Sequence, residues 1–165
     1  MNVLAETDAA YIAGFLDGDG SIHVRLKPNK AYRFDFQIAP NIVFYQSEKG
    51  KHILERLMQM IGGGKIRVRN DGIAEYTIGD IATMTALANR IKPYLILKKD
   101  QADLLILILK RKEKIATEED FLDVVRLIDS YEKINYSKKR KNNFNLVSAK
   151  LKNFKKKHNP VETCS

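Results

Sequence analysis

Two carboxylates alternate with two glycines in Asp17-Gly18-Asp19-Gly20, directly after the nearly all-apolar run Ala9 to Leu16. That run predicts a short helix buried on several sides, with Thr7 or Asp8 as its N-cap and the glycines as its exit. The two acids then lie at a helix C-terminus, where the macrodipole disfavours negative charge by ~0.3–1 kcal/mol each. A bound divalent cation is one compensation; the plainer reading makes both acids turn formers without a ligand. A calcium loop of EF-hand type is excluded, because its turn-glycine position falls on Ile22 and its bidentate-glutamate position on Pro28. His23, His52 and His158 lack zinc-site spacing, and neither a Gly-x-Ser-x-Gly elbow nor a P-loop occurs.

The elements that must position this tetrapeptide follow from periodicity. Ile22, Val24 and Leu26 alternate with His23, Arg25 and Lys27, a strand with one dry and one polar face. After a turn at Pro28-Asn29-Lys30 the alternation resumes, with Phe34, Phe36, Ile38 and Ile42 against Arg33, Asp35, Gln37 and Asn41. Pro40 falls on the inward register, which predicts an edge position or a bulge. Ile53, Leu54, Leu57 and Ile61 mark a helix that Gly62-Gly63-Gly64 ends. Ile66 and Val68 are expected inward, with Lys65, Arg67 and Arg69 outward, before Asn70-Asp71-Gly72 turns the chain into Ala74 to Ile78. A helix over 80–91 closes before Pro93. The order predicts an α+β domain with one antiparallel four-stranded sheet backed by helices. From Lys99 the chain reads as all-helical, with a capping-box pattern at Thr117 and Asp120. Residues 1–136 are expected to form the main domain, and residues 137–165 a basic helix or arm.

The chain has 165 residues and a formal net charge of +9. That charge is concentrated: residues 138–157 hold nine basic side chains and no acid, and residues 21–70 hold ten basic against three acidic. Two basic zones beside an acidic opening point to a polyanion such as nucleic acid. No apolar run approaches the roughly 18 residues of a membrane span. Residues 1–15 show no secretory signal pattern, and Cys164 is the single cysteine, which suits a reducing compartment.

Ile12 to Ser21 resembles the defining motif of the LAGLIDADG homing endonucleases, most closely the compact single-motif enzymes encoded in organellar introns. The basic strands, the glycine-rich break and Pro93 to Ala102 also look like family segments, so the resemblance spans about Ala9 to Asn135. It implies a homodimer whose motif helices pack together, with Ala10, Ala13 and Gly14 at the interface. It implies Asp19 as metal ligand and catalytic acid, the Gly18 carbonyl as helper, and Asp17 as a structural cap. Gln46 matches a position that orders the metal's water shell, and Lys98 a basic residue that supports the water network and transition-state charge. A further basic residue often stands where this chain has Gly50, and the adjacent Lys51 is the candidate substitute. Mg²⁺ is the implied cofactor, with Mn²⁺ an alternative and Ca²⁺ expected to permit binding without cleavage.

Double-stranded DNA is the implied partner, with no membrane and no small-molecule substrate. His23, Arg25, Lys27, Gln37, Asn41, Arg67, Arg69, Glu75 and Thr77 share one polar sheet face, and this mixture suits base readout. Asn29, Tyr32 and Arg33 at the hairpin tip are expected to reach outer bases, and Lys138, Lys139 and Arg140 to hold phosphates. The expected activity is site-specific double-strand cleavage at a long pseudo-palindromic target, inside the cell, in a chloroplast or mitochondrion. The alternative is a cleavage-deficient maturase or regulator of the same fold.

Overall fold

The computed structural model describes residues 4–134 and 142–158. The first helix, α1 (Glu6–Asp19), begins earlier than expected. Ala5 is its N-cap, without a side-chain bond, so Thr7 and Asp8 fall inside the first turn. Glu6 and Asp8 there complement the helix dipole. The helix passes through Gly18 and ends on Asp19, where β1 (Gly20–Pro28) starts at once. A Cβ on Gly20 would lie 2.8 Å from the Leu16 carbonyl oxygen and 2.9 Å from its Cα, so this turn from helix to strand has room only for glycine.

Strand β1 pairs antiparallel with β2 (Phe36–Ser47) in unbroken register from Gly20 opposite Phe44 to Pro28 opposite Phe36. Strands β3 (Lys65–Val68) and β4 (Ile73–Ile78) form a second hairpin, and β4 pairs with β2, giving the order β1-β2-β4-β3. Pro40 pairs with Val24 without a bulge. Strand β4 reaches only from Ile42 to Ser47, so Pro40 lies where β2 is open on that side and no β4 ladder bond is lost. Val68 corrects an expectation: it is 38% exposed, because β3 is a four-residue edge strand.

Helix α2 (Lys51–Ile61) follows a 3-10 turn at Glu48–Gly50, and Gly62, Gly63 and Gly64 leave it with positive φ. Helix α3 (Ile81–Ile91) is capped by Asp80, whose Oδ1 accepts the Thr83 N–H at 2.7 Å. Helices α4 (Lys99–Lys112) and α5 (Glu118–Ile134) complete the layer. The capping box ahead of α5 is reciprocal: Thr117 N–H donates to Asp120 Oδ2 at 2.8 Å, and Asp120 N–H to Thr117 Oγ1 at 3.1 Å. The Thr117 hydroxyl also donates to Asp120 Oδ2, at 2.8 Å.

The C-terminal region contains a helix, α6 (Phe144–His158), packed on α5. Asp129 Oδ2 accepts the Phe144 N–H at 2.7 Å, and Asn142 Nδ2 donates to the Leu26 carbonyl on the sheet edge at 2.8 Å. Val147 and Leu151 join one continuous core with α1, the inward sheet face and α2 to α5. No described helix is long and apolar enough to cross a membrane.

Candidate active site and nucleic-acid interface

The two motif acids have separate fates. Asp17 is fully engaged. Its Oδ2 accepts the N–H groups of Ile96 and Leu97 at 2.7 and 3.1 Å, and its Oδ1 accepts that of Lys98 at 2.9 Å. These amides lead into α4, so one carboxylate closes the end of α1 and satisfies the approach to another helix. Lys98 returns the contact, its Nζ donating to the Asp17 carbonyl at 2.6 Å. An ammonium on the last carbonyls of α1 offsets the dipole that the acids oppose. Burial pushes Lys98 below the ordinary lysine range, against the opposing pull of Asp17 and Asp19.

Asp19, two residues on, is exposed, and no described residue hydrogen-bonds its carboxylate. It stands at the end of α1 beside the exposed Gly18. A carboxylate with a neighbouring backbone carbonyl is a hard oxygen donor set, suited to Mg²⁺, which takes one or two carboxylates and keeps water or phosphate for the rest. Among the described residues no cluster of three potential side-chain ligands exists. At this end of α1, one chain therefore offers a single acid without a hydrogen bond among the described residues, a fit for a metal shared with a second copy and with DNA phosphate.

Gln46 reaches the same end of the sheet. Gly20 pairs with Phe44, so β2 runs two residues beyond the start of β1 before Gln46. Its Oε1 accepts the Ser47 N–H at 2.9 Å, and its NH2 has no partner among the described residues. Lys51 pairs with Glu55 at 3.1 Å on the surface of α2.

Strand register orders the polar face. Lys27 lies opposite Gln37, Arg25 opposite Ala39, and His23 opposite Asn41. Next comes a full row of Ser21, Val43, Thr77 and Lys65, then Tyr45, Glu75 and Arg67. Ser21, Val43, Tyr45 and Lys65 were not assigned to this interface from sequence; extending the period-two register of β2 past Asn41 would have found Val43 and Tyr45. Val43 is buried yet outside the main core, as expected for an apolar side chain on the polar face.

Glu75 differs most from expectation. Its side chain is 10% exposed, and both its oxygens are taken. Arg67 donates to Oε2 through Nε at 2.6 Å and lies 2.6 Å from it through Nη2. Arg69 donates to Oε1 at 3.4 Å and to Asp71 Oδ2 at 2.6 Å. Glu75, expected among the base-reading side chains, therefore orients two arginines instead.

At the hairpin tip, Asn29 Oδ1 accepts the Ala31 N–H at 3.0 Å, Tyr32 is exposed, and the Arg33 guanidinium covers the Phe34 ring. Lys138, Lys139 and Arg140 lie outside the described residues.

The expected interface on α1 is brought together only in part. Ala10 and Gly14 are exposed, in line with exposed Thr7, Tyr11 and Gly18. Ala13 corrects the expectation, being fully buried against its own chain. At 3.6 residues per turn it sits about 100° from Gly14, toward Ala9, Ile12 and Leu16. A Cβ on Gly14 or Gly18 would meet nothing within 4 Å. Among the described residues no close contact therefore asks for glycine at either position, although each costs about 1 kcal/mol relative to alanine in a helix.

A basic, register-ordered sheet face ending beside an exposed helix-terminal acid and a partly buried lysine defines a DNA-binding protein with polar and charged side chains gathered at one end of its sheet. Comparison with known proteins agrees. The model of the LAGLIDADG endonuclease family matches residues 12–109, and the chain belongs to that family. It is 33% identical over 153 residues to DNA endonuclease I-CreI of Chlamydomonas reinhardtii, covering 91% of this chain and 93% of that one. It is 28% identical over 131 residues to DNA endonuclease I-CvuI of Chlorella vulgaris, covering 79% and 81%. A crystal structure of I-CvuI with the I-CreI target, in 2 mM Mg with the DNA not cleaved, matches with TM-score 0.86 at 27% identity, covering 90% of this chain and 94% of that one.

Proposed function

We propose that the protein is a homodimeric, divalent-metal-dependent homing endonuclease that cuts both strands of a long, pseudo-palindromic DNA site. The observation that carries this reading is Asp19, a carboxylate left free at the end of α1 while its neighbour Asp17 is consumed by three backbone bonds. One such acid per chain calls for a second chain, and the exposed stripe of Ala10, Gly14 and Gly18 supports close approach of its α1.

In this reading Asp19 and the Gly18 carbonyl hold Mg²⁺ jointly with the partner copy. When bound, the ion lowers the pKa of water and stabilises charge on the attacking and leaving oxygens. The chain's own residues do the rest. Lys98, fixed by the Asp17 clamp, places positive charge beside the scissile phosphate. The Gln46 NH2 donates to water there, its orientation set by the Ser47 bond. His23, Arg25, Lys27, Gln37, Asn41, Arg67, Arg69 and Thr77 read base edges, with Asn29, Tyr32 and Arg33 toward the ends. Residues 137–165 follow the catalytic unit, and Lys138, Lys139 and Arg140 add salt-sensitive phosphate affinity. The compartment that fits this reading is a chloroplast or mitochondrion.

The test is cleavage of plasmid carrying a duplex recovered by selection from a randomised library. Mg²⁺ should yield linear product, with a sedimenting species of twice the chain mass. Tight binding with no cut in Mg²⁺ or Mn²⁺ would support a DNA-binding regulator or maturase instead.

A further inference from the structure

We propose that Ser21 is a specificity-determining residue that acts through His23, fixing which ring nitrogen carries the proton and so which base that histidine reads. The proposal rests on the reading of this sheet face as the base-reading surface. Ser21 and His23 are two apart on β1, so both side chains stand on the polar face. Ser21 Oγ lies 3.2 Å from His23 Nδ1, and both residues are half-buried. The neighbours directly across the strand do not contest this pairing. Val43, opposite Ser21, has no polar side-chain atom, and Asn41, opposite His23, turns its Nδ2 to the Ala39 carbonyl at 3.5 Å.

Two arrangements satisfy the contact. Either the hydroxyl donates to Nδ1 and Nε2 keeps the proton, or Nδ1–H donates to the hydroxyl and Nε2 is an acceptor. The first makes the stronger bond, because an imidazole nitrogen is far more basic than an alcohol oxygen. Nδ1 is bonded to Cγ, near the strand, whereas Nε2 lies at the far end of the ring. Ser21 therefore engages the inner nitrogen and leaves the proton on the outer one.

That proton decides what the ring can read. In the major groove guanine presents two acceptors, N7 and O6, adenine an acceptor beside a donor, thymine an acceptor beside its methyl, and cytosine only a donor. A single N–H fits guanine best and cytosine worst. Without the hydroxyl the proton is free to sit on either nitrogen, and a ring with an accepting Nε2 takes cytosine instead. Ser21 and His23 are the first polar-face side chains of β1 after Asp19, so the base pair concerned is among those nearest the cut.

The experiment compares wild type, Ser21→Ala, Ser21→Thr, His23→Ala and the Ser21→Ala, His23→Ala double variant in full-length protein at pH 8. Long-range ¹H–¹⁵N spectra of the ring report the tautomer. Anisotropy in Ca²⁺ reports affinity for the selected duplex and its single-base variants. Wild type should carry the proton on Nε2 and discriminate against cytosine at a position that His23→Ala relaxes. Ser21→Ala should show mixed tautomers and lose roughly 5-fold of that discrimination. Ser21→Thr keeps the hydroxyl and should keep both properties. In the double variant, Ser21→Ala should cost nothing beyond His23→Ala at that position. A proton on Nδ1 in the wild type, no position relaxed by His23→Ala, unchanged discrimination in Ser21→Ala, or an undiminished effect of Ser21→Ala without His23 would overturn the proposal. A wild type that prefers no duplex over another would count against the base-reading surface, and the spectra would still decide whether Ser21 fixes the His23 proton.

Discussion

Replacing Glu75 with glutamine should leave the fold nearly intact and blur DNA recognition at one base more than at others. The Glu75 side chain is 10% exposed, but the arginine side chains it holds are 67% exposed for Arg67 and 45% for Arg69. Removing its charge therefore leaves two hydrated cations, not a buried unpaired one. The stability change should stay within about 1 kcal/mol, the range of exposed ion pairs. Arg69 keeps its 2.6 Å contact with Asp71, whereas both contacts of Arg67 go to Glu75. A bidentate arginine discriminates its base by ~1–3 kcal/mol, roughly 5- to 150-fold, and this is what Arg67 stands to lose. Binding to unrelated duplex should tighten, because the face gains one net positive charge. Fluorescence anisotropy in Ca²⁺ would measure both effects, using the selected duplex and its single-base variants over a salt series. Unchanged discrimination by Glu75→Gln, or weaker binding to unrelated DNA, would refute the claim that Glu75 orients the arginines.

Three further outcomes follow from local geometry. Asp17→Ala removes three charge-assisted bonds to the backbone of Ile96, Leu97 and Lys98, so calorimetry should show a loss of about 2 kcal/mol or more, near 4–8 °C. Gly20→Ala forces a Cβ onto the backbone of Leu16 and should cost about 3 kcal/mol in urea unfolding. The hydrogen bonds from Thr117 and Ala116 hold the Asp120 carboxyl below the ordinary aspartate range. The unfolded chain therefore binds that proton first, and the stability it lends is present above about pH 4 and lost as pH falls through the folded value. Asp120→Asn should flatten that acid limb in thermal melts.

Features set by local spacing were legible in the sequence, and those set by register were not. The capping box of Thr117 and Asp120 and the alternation of β1 rest on neighbours a few residues apart. The burial of Ala13 follows from which arc of α1 meets the sheet, and an all-apolar helix does not announce that arc. Glu75 reads as a lone exposed acid until β3 and β4 pair and bring Arg67 opposite it. The Asp17 clamp joins residues about 80 positions apart; only the family resemblance, not the local pattern, pointed to a structural role.

The most direct test of the central claim, that each chain brings one metal-binding acid to a shared centre, is Asp19→Asn. The variant should bind the selected duplex in Ca²⁺ with near wild-type affinity and produce no linear plasmid in Mg²⁺. Linear product at the wild-type rate would contradict the assignment of Asp19 and the half-site reading with it.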